Sequence, residues 1–176
     1  MITAIFLLGL AAVPAGAQCV AATAAWQNRP FIAQSGPFTA RFTASAAAAK
    51  IDGVTGLSQA VATGFPSLAA AVRFNNTGYF DVRNGGVYAA DAAVPYTAGA
   101  VYSFRVSVDP ALKRYSVWVA PPGAAEKALA TNYAFRTEQS GAANFANWAL
   151  ISTAGSHQVC HFMIGAVDRF GISQLY

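Results

Sequence analysis

Two neighbouring segments in which apolar and polar residues alternate constrain this chain more than any other feature of its sequence. Apolar residues occupy every second position over residues 102–108, and the same alternation returns over residues 115–119. Successive side chains of a β-strand point to opposite faces, so this period of two predicts strands with one buried face. The five residues 109–113 are a connection of hairpin length. We therefore predict that the two segments pair, with Arg105 opposite Trp118 on the polar side.

Short runs of the same kind recur along the chain. They are separated by Gly, Pro, Asn and Asp, and Asn84-Gly85-Gly86 is a turn signal. The remaining predicted strands are 38–44, 51–57, 67–74, 79–83, 127–131, 148–152 and 158–164. Only the alanine-rich stretch 44–49 suggests a short helical turn. Many short strands at this spacing are typical of a sandwich or a barrel, and we expect an all-β, two-sheet antiparallel sandwich.

The length of the chain limits it to one domain, and its composition is that of a globular protein. Its 176 residues are 55% hydrophobic and only 10% charged, which excludes an intrinsically disordered chain. The net charge of +4 comes from basic residues that are scattered along the sequence. A nucleic-acid-binding protein usually has a basic cluster or a known motif, so we predict no nucleic-acid partner. The mild positive charge favours acidic partners such as uronic-acid polysaccharides.

The first 17 residues have the features of an export signal. Residues 2–13 are almost entirely apolar, Pro14 ends the run, and residues 15–17 are small, as signal peptidase requires. We predict a signal peptide at 1–17, a folded domain at 18–167 and a C-terminal tail at 168–176. The mature protein is then secreted and extracellular, with no membrane span after cleavage. A retained membrane anchor is the alternative.

Cys19 and Cys160 are the two cysteines of the chain. In an exported protein, two distant cysteines most often form a disulfide, and we predict one here. The alternative is a pair of buried free thiols. A disulfide would place the first mature residues beside a strand near the C-terminus. Two cysteines are too few for a zinc site, and the sequence identifies no metal ligands.

The polar sides of the predicted strands contain a candidate ligand-binding set. Inward packing of the neighbouring apolar residues turns six side chains outward, and the parity argument assigns them to one polar face. They are Arg73, Tyr79, Asp81, Arg83, Arg105 and Trp118. Aromatic rings beside Arg and Asp suit sugars, because a pyranose ring stacks on an aromatic face while its hydroxyls bond to charged side chains. The alternative is an ordinary solvated face with one exposed Trp.

Several segments together resemble a known fold family. They are residues 56–58 (GLS), 72–78 (VRFNNTG), 81–86 (DVRNGG), 96–99 (YTAG) and 102–122, the strand-turn-strand that contributes most. The pattern is similar to the concanavalin A-like lectin/glucanase jelly rolls, in particular the laminin G-like group. The resemblance covers roughly residues 26–165. It implies a jelly roll whose concave sheet face binds glycans. We predict no cofactor, with a structural calcium as the alternative, because some members of the family bind calcium at a sheet edge.

The catalytic signatures of that family are absent from the sequence. Glu126 and Glu138 lie in different segments and do not form the paired carboxylates of the glucanase branch. His157 and His161 do not match the motif of the lyase branch, and we expect them to be surface or core residues. We therefore predict a lectin-like domain that binds a polysaccharide or glycan, and we favour a non-enzymatic role. The alternatives are a polysaccharide lyase or glycoside hydrolase of the same fold, or a structural or adhesive surface protein.

Overall fold

The computed structural model describes residues 19–167 together with 173–174. The predicted signal peptide, 1–17, lies outside these residues. So does the predicted tail, apart from Ser173 and Gln174, which form a short strand. Within the described ranges, the protein has no helix that is both long enough and apolar enough to cross a membrane.

In the part of the chain that the structure describes, thirteen strands form two sheets. In chain order they are β1 (Val20–Ala21), β2 (Gln27–Gln34), β3 (Phe38–Ala46), β4 (Asp52–Ser58), β5 (Leu68–Phe74), β6 (Phe80–Asn84), β7 (Val87–Ala89), β8 (Tyr102–Asp109), β9 (Arg114–Ala120), β10 (Lys127–Ala134), β11 (Phe145–Ala154), β12 (His157–Val167) and β13 (Ser173–Gln174). The seven-stranded sheet has the order β1-β12-β3-β8-β9-β10, and β13 also pairs with β12. The six-stranded sheet has the order β2-β11-β4-β5-β6-β7.

The two sheets meet through their apolar inner faces. Phe80 of the six-stranded sheet contacts Tyr102 and Phe104 of the seven-stranded sheet, with ring centroids 4.9 and 5.1 Å apart. Phe38 of the seven-stranded sheet likewise contacts Phe145 of the six-stranded sheet at 5.6 Å. All these rings are buried. The predicted all-β, two-sheet antiparallel sandwich is confirmed.

The β8–β9 hairpin has the predicted parity and register. Val106 and Val117 are paired and buried, whereas Arg105 pairs with Trp118 on the opposite side of the sheet. The side chain of Asp109 accepts hydrogen bonds from two backbone N–H groups of the connection, and this closes the turn. Lys113 completes the connection with φ of 58°, in the left-handed region.

Sequence patterns misjudged two segments. The stretch 44–49 is not a helical turn: β3 continues to Ala46, and a turn follows in which Lys50 has φ of 57°. Burial of Ala44 and Ala46 explains the difference, because pairing with β8 and β12 outweighs the helix propensity of alanine. Strand β2 was not predicted. It is an edge strand that contains Pro30, and none of its residues is buried, so it lacks a clear alternation.

A bulge in β12 changes the expected positions of its side chains. Cys160 pairs with Thr43 and Met163 with Arg41, so two residues of β12, His161 and Phe162, lie opposite the single residue Phe42 of β3. His161 adopts φ of 56° in this bulge and is exposed. The sequence left His161 as either a surface or a core residue, and the structure places it at the surface.

The predicted disulfide between Cys19 and Cys160 is present. Strand β1 pairs with β12 from Val20 opposite Val159, so the bridge joins residues at the end of this short ladder. It links positions 141 residues apart in sequence and closes nearly the whole described domain into one loop. The thiols are therefore not free, and the alternative of two buried free thiols is excluded.

We expect removal of the bridge to destabilise the domain. In the chain-entropy model, a loop of this length contributes about 2–5 kcal/mol to the free energy of unfolding, because the crosslink restricts the unfolded chain. Urea denaturation of a Cys19→Ser/Cys160→Ser variant beside the oxidised wild type measures the loss. Reduced wild type serves as the control for the substitutions. Equal midpoints for the oxidised and reduced proteins would contradict this account.

His157 is a core residue of the sandwich. Its side chain is buried against Phe74, at 5.3 Å between ring centroids, and its Nδ1 shares a 2.9 Å hydrogen bond with Ser152 Oγ. A Cβ at Gly53 would lie 2.4 Å from His157 Nδ1, so only glycine leaves room for the ring. Nε2 has no hydrogen-bond partner among the described residues. Burial lowers the pKa of His157 to about 4 from its ordinary 6.5.

The lowered pKa makes stability depend on pH. The unfolded chain binds a proton at His157 near pH 6.5, whereas the folded protein binds it only near pH 4. The stability that comes from keeping His157 neutral in the folded protein is therefore fully present above pH 6.5 and is lost as pH falls towards 4. The loss is about 2–4 kcal/mol. Urea denaturation between pH 7 and 4 should show a steeper decline for wild type than for His157→Gln, which has no proton to bind there. Parallel declines would refute this role.

Candidate functional site

The six candidate ligand-binding residues do not share one face. Arg73, on β5, and the β6 residues belong to the six-stranded sheet, whereas Arg105 and Trp118 belong to the seven-stranded sheet. Each group points away from the core of its own sheet, so the two groups lie on opposite sides of the sandwich. The parity argument was correct for each strand. The assignment to one face was wrong, because parity does not reveal which strands share a sheet.

On the six-stranded sheet, Arg73 and Asp81 are bound to each other. Arg73 Nε donates to Asp81 Oδ1 at 2.8 Å, and its terminal nitrogen donates to Oδ2 at 2.7 Å. Asn75 Nδ2 donates a further bond to Oδ2 at 2.9 Å. The residue Asp81 is only 9% exposed. The bidentate pair raises the pKa of Arg73, and both residues use their polar atoms within the protein.

The cations of this cluster surround Tyr88, a residue that the sequence argument did not identify. The Arg73 guanidinium lies 3.9 Å from the centroid of the Tyr88 ring, and that of Arg83 lies 5.3 Å away. Buried Arg136 donates a long bond, 3.5 Å, to the Tyr88 hydroxyl. Burial raises the pKa of Tyr88. Tyr79 stands apart, directly before β6, and is 42% exposed.

The rest of this outer face is covered by the protein itself. A second apolar cluster forms there from residues of β4, β5 and β11, beneath the segment that follows β4. Its buried members are Val54, Ala62, Leu68, Ala71, Ala149 and Ile151, with Trp26 and Phe65 packed at its edge. The six-stranded sheet therefore has apolar packing on both of its faces over β4, β5 and β11, and it leaves little strand surface open there.

The outer face of the seven-stranded sheet is different. The Arg105 guanidinium lies 3.6 Å from the centroid of the Trp118 ring, in a cation–π contact. Glu126, just before β10, accepts hydrogen bonds from Arg105 Nε at 3.1 Å and from its terminal nitrogen at 2.5 Å. Both Arg105 and Glu126 keep solvent exposure, at 25% and 37% of their side chains.

Register extends this pair into a row across five strands. Met163, Arg41, Arg105, Trp118 and Ala128 are successive cross-strand partners on β12, β3, β8, β9 and β10. At strand spacings of about 4.8 Å the row is roughly 19 Å long. Small hydroxyl residues border it: Thr43 and Ser103 pair on one side, and Ser107 and Ser116 on the other.

Arg41 is the residue of this row that the sequence argument missed. The alternation of residues 38–44 already placed its side chain on the polar side of the strand. What the sequence did not show was that β3 lies beside β8, which brings Arg41 opposite Arg105. That pairing joins segments more than fifty residues apart and left no local signal.

Groups for acid–base or metal chemistry are dispersed. His157 is in the core, and His161 Nδ1 shares a 3.1 Å hydrogen bond with Thr43 Oγ1 beside the row. Glu126 is bound to Arg105, and Glu138 lies in a 3₁₀ turn that contacts β5 of the other sheet. Within residues 19–167 and 173–174, no three His, Cys, Asp or Glu side chains come close enough together to hold a metal ion.

Comparison with solved structures identifies the architecture. A sialidase aligns with 81% of this chain at a TM-score of 0.53 and 11% identity, over 14% of its own length. Lectin I-B4 from Griffonia simplicifolia aligns with 76% of the chain at 0.51 and 13% identity, over 72% of its length. A GH131 β-glucanase catalytic domain from Podospora anserina aligns with 80% at 0.53 and 9% identity, over 61% of its length. The chain has the concanavalin A-like jelly-roll fold. At such low identity these likenesses establish the fold alone.

Sequence comparison adds one relative of this concanavalin A-like domain. A gellan lyase from a Bacillus species is 38% identical over 79 residues, which is 42% of this chain and 3% of that enzyme. The chain thus corresponds to a very small part of the relative. No family model matches the sequence.

The two arginine–carboxylate pairs should differ in their contribution to stability. Asp81→Asn leaves Arg73 half-buried without its anion, and we expect a loss of about 2–4 kcal/mol. Glu126→Gln breaks a more exposed pair and should cost at most about 1 kcal/mol. Urea denaturation of both variants at neutral pH tests this. A smaller loss for Asp81→Asn than for Glu126→Gln would show that the six-stranded cluster is not a structural element.

Proposed function

We propose that this protein is a secreted, non-catalytic carbohydrate-binding domain whose site is the outer face of the seven-stranded sheet. The observation that carries the proposal is the Arg105–Trp118 pair, which stands at the centre of a polar row on open strand surface. Arg105 and Trp118 are the two predicted ligand-binding residues that belong to this site.

The row has the chemistry that sugars require. An indole presents an apolar face to the C–H groups of a pyranose ring, while hydroxyls and a guanidinium supply hydrogen bonds to its O–H groups. Arg105 covers one side of Trp118, and the neighbour in register on the other side, Ala128, has only a methyl group. A sugar ring can therefore reach the indole from the side of β10. The length of the row suits a linear polysaccharide that crosses several strands.

Arg73, Tyr79, Asp81 and Arg83 are not part of the proposed site. Arg73 and Asp81 satisfy each other, and Arg83 Nε donates to the Gly85 carbonyl at 2.9 Å. A glycan there would have to compete with these bonds. Among residues 19–167, Tyr79 alone combines an aromatic ring with substantial exposure on that side. The six-stranded face is retained as the alternative location that the experiment must distinguish.

Secretion is supported by two independent features. The apolar segment ahead of small residues at 15–17 has the pattern of an export signal. The Cys19–Cys160 disulfide is the kind of bond that persists in oxidising compartments.

The comparisons favour a carbohydrate ligand without naming it. One relative is a gellan lyase, and structures of the same fold include a lectin and a glucanase. The shared segment is only 3% of the gellan lyase, so the relative suggests a polysaccharide to test rather than an activity for this chain. This makes gellan the first polysaccharide to test.

A lyase is the second candidate function, because His161 lies beside the row and the relative is a lyase. Binding is favoured over cleavage by the state of the available groups. Glu126 is neutralised by Arg105, and His157 is enclosed in the core. No described tyrosine is in register with the row. A general base and a general acid would both have to reach the same sugar, and His161 is a single candidate for either role.

The experiment combines a polysaccharide array, which includes gellan, with an assay for unsaturated and reducing ends on the same polymers. Trp118→Ala should weaken binding to the best ligand by about 1–3 kcal/mol, by analogy with base stacking on aromatic side chains. Its melting temperature should change little, since an outward side chain leaves no core cavity. Tyr79→Ala, the matched exposed aromatic on the opposite face, should bind like wild type.

Each outcome separates the alternatives. Loss of affinity in Tyr79→Ala but not in Trp118→Ala moves the site to the six-stranded sheet. Release of unsaturated ends that His161→Ala abolishes establishes a lyase. Failure to bind any polysaccharide favours a structural or adhesive role and overturns the proposal.

A further inference from the structure

We propose that Arg41 forms an anion-binding subsite in the row, so that the domain selects polysaccharides with acidic groups, a carboxylate or a sulfate on the sugar. This inference rests on the proposed carbohydrate-binding function of the same face and specifies its substrate class. It starts from an imbalance of charge that the strand register creates.

Arg41 and Arg105 are direct cross-strand partners on β3 and β8. Two like charges at directly opposed positions destabilise a sheet, and long side chains there usually meet an opposite charge. Glu126 supplies that charge for Arg105 through a bidentate contact. The described residues provide no hydrogen bond or ion pair to the guanidinium of Arg41. Arg41, Arg105 and Glu126 together therefore carry a net charge of +1.

The surroundings of Arg41 explain why water alone is a poor partner for it. Arg41 is half-buried, so part of its side chain is withdrawn from solvent. Its partner on the side of β12 is Met163, which is apolar and 40% exposed. A guanidinium bordered by an apolar side chain and a second arginine gains more from an anion than one in open water does, because the local dielectric is lower.

Neutral donors and acceptors stand next to Arg41 on the same face. Thr43 is two residues along β3, and its hydroxyl shares a hydrogen bond with His161 Nδ1. Ser103 is the cross-strand partner of Thr43. These groups can bond the hydroxyls of an acidic sugar whose carboxylate or sulfate contacts the arginine. A planar guanidinium binds both anions through paired N–H groups.

The spacing links this subsite to the aromatic platform. Arg41 and Trp118 lie two strands apart, about 10 Å, in the same row. A sugar stacked on Trp118 would therefore place the acidic group of a nearby unit of the same chain over Arg41. Arg105 lies between the two and already has its carboxylate, so it contributes hydrogen bonds while Arg41 contributes the unsatisfied charge.

The test compares charged polymers with uncharged forms of the same backbone. Polygalacturonate and alginate are each titrated beside their fully methyl-esterified forms, and dextran sulfate beside dextran, by calorimetry at low salt. We expect wild type to bind at least one acidic member about tenfold more tightly than its neutral counterpart, as a charge-assisted bidentate contact implies. Arg41→Gln should bring the ratio of the two affinities close to one, because only the acidic form loses a charge-assisted contact. Preference for the carboxylate or for the sulfate polymer identifies the source of the anion.

Arg114→Gln is the matched control. Arg114 starts β9 on the same face, and the substitution removes the same charge about 13 Å along the strand from Trp118. It should change the acidic preference less than twofold. An equal loss in both arginine variants, or wild-type binding that ignores the acidic group, overturns the subsite. Trp118→Ala distinguishes this failure from that of the proposed function. If Arg41→Gln fails to change the acidic preference but Trp118→Ala weakens binding to neutral and acidic forms alike, the carbohydrate site is supported and the anion-binding subsite is overturned.

Discussion

The structure depends on the aromatic contact that joins the inner faces of the two sheets. Phe80 meets Phe74 at 4.8 Å within its own sheet and meets Tyr102 and Phe104 across the interface. Because side chains alternate along a strand, burying Tyr102 and Phe104 forces Ser103 and Arg105 outward. A slip of one residue would bury a guanidinium without an anion, at a cost that a domain of this size does not tolerate. The polar row is therefore a consequence of the core.

Local features of the fold followed from the sequence, because their causes are local. The hairpin of β8 and β9 is determined by its alternation and its short connection, and both the register and the Arg105–Trp118 contact agree with that reasoning. The disulfide required only two cysteines and an export signal as premises. The four positions of β5 and β6 that parity assigned inward, Val72, Phe74, Phe80 and Val82, are also buried.

The order of the strands in each sheet could not be predicted from the sequence, because it is set by contacts between distant segments. Pairing of β3 with β8, and of β12 with β3, joins stretches that no turn connects directly. Without that order, six outward side chains seemed to form one surface when they form two. The bulge at His161 was equally hidden, since one left-handed residue reverses the alternation without any glycine to announce it. The candidate site was thus predictable strand by strand but not as a surface.

Each face of this sandwich has an arginine–carboxylate pair, and the two pairs have different roles. Between Arg73 and Asp81 the carboxylate is buried, receives a third bond from Asn75, and the guanidinium also lies over Tyr88, so the cluster is satisfied internally and stabilises the edge of its sheet. Between Arg105 and Glu126 both partners remain in contact with solvent, and the guanidinium lies over an indole whose partner in register on β10 is an alanine. A ligand can replace water there without breaking a bond within the protein. Charge that is satisfied stabilises a fold, whereas charge that is held in place but left open, as at Arg41, is available for recognition.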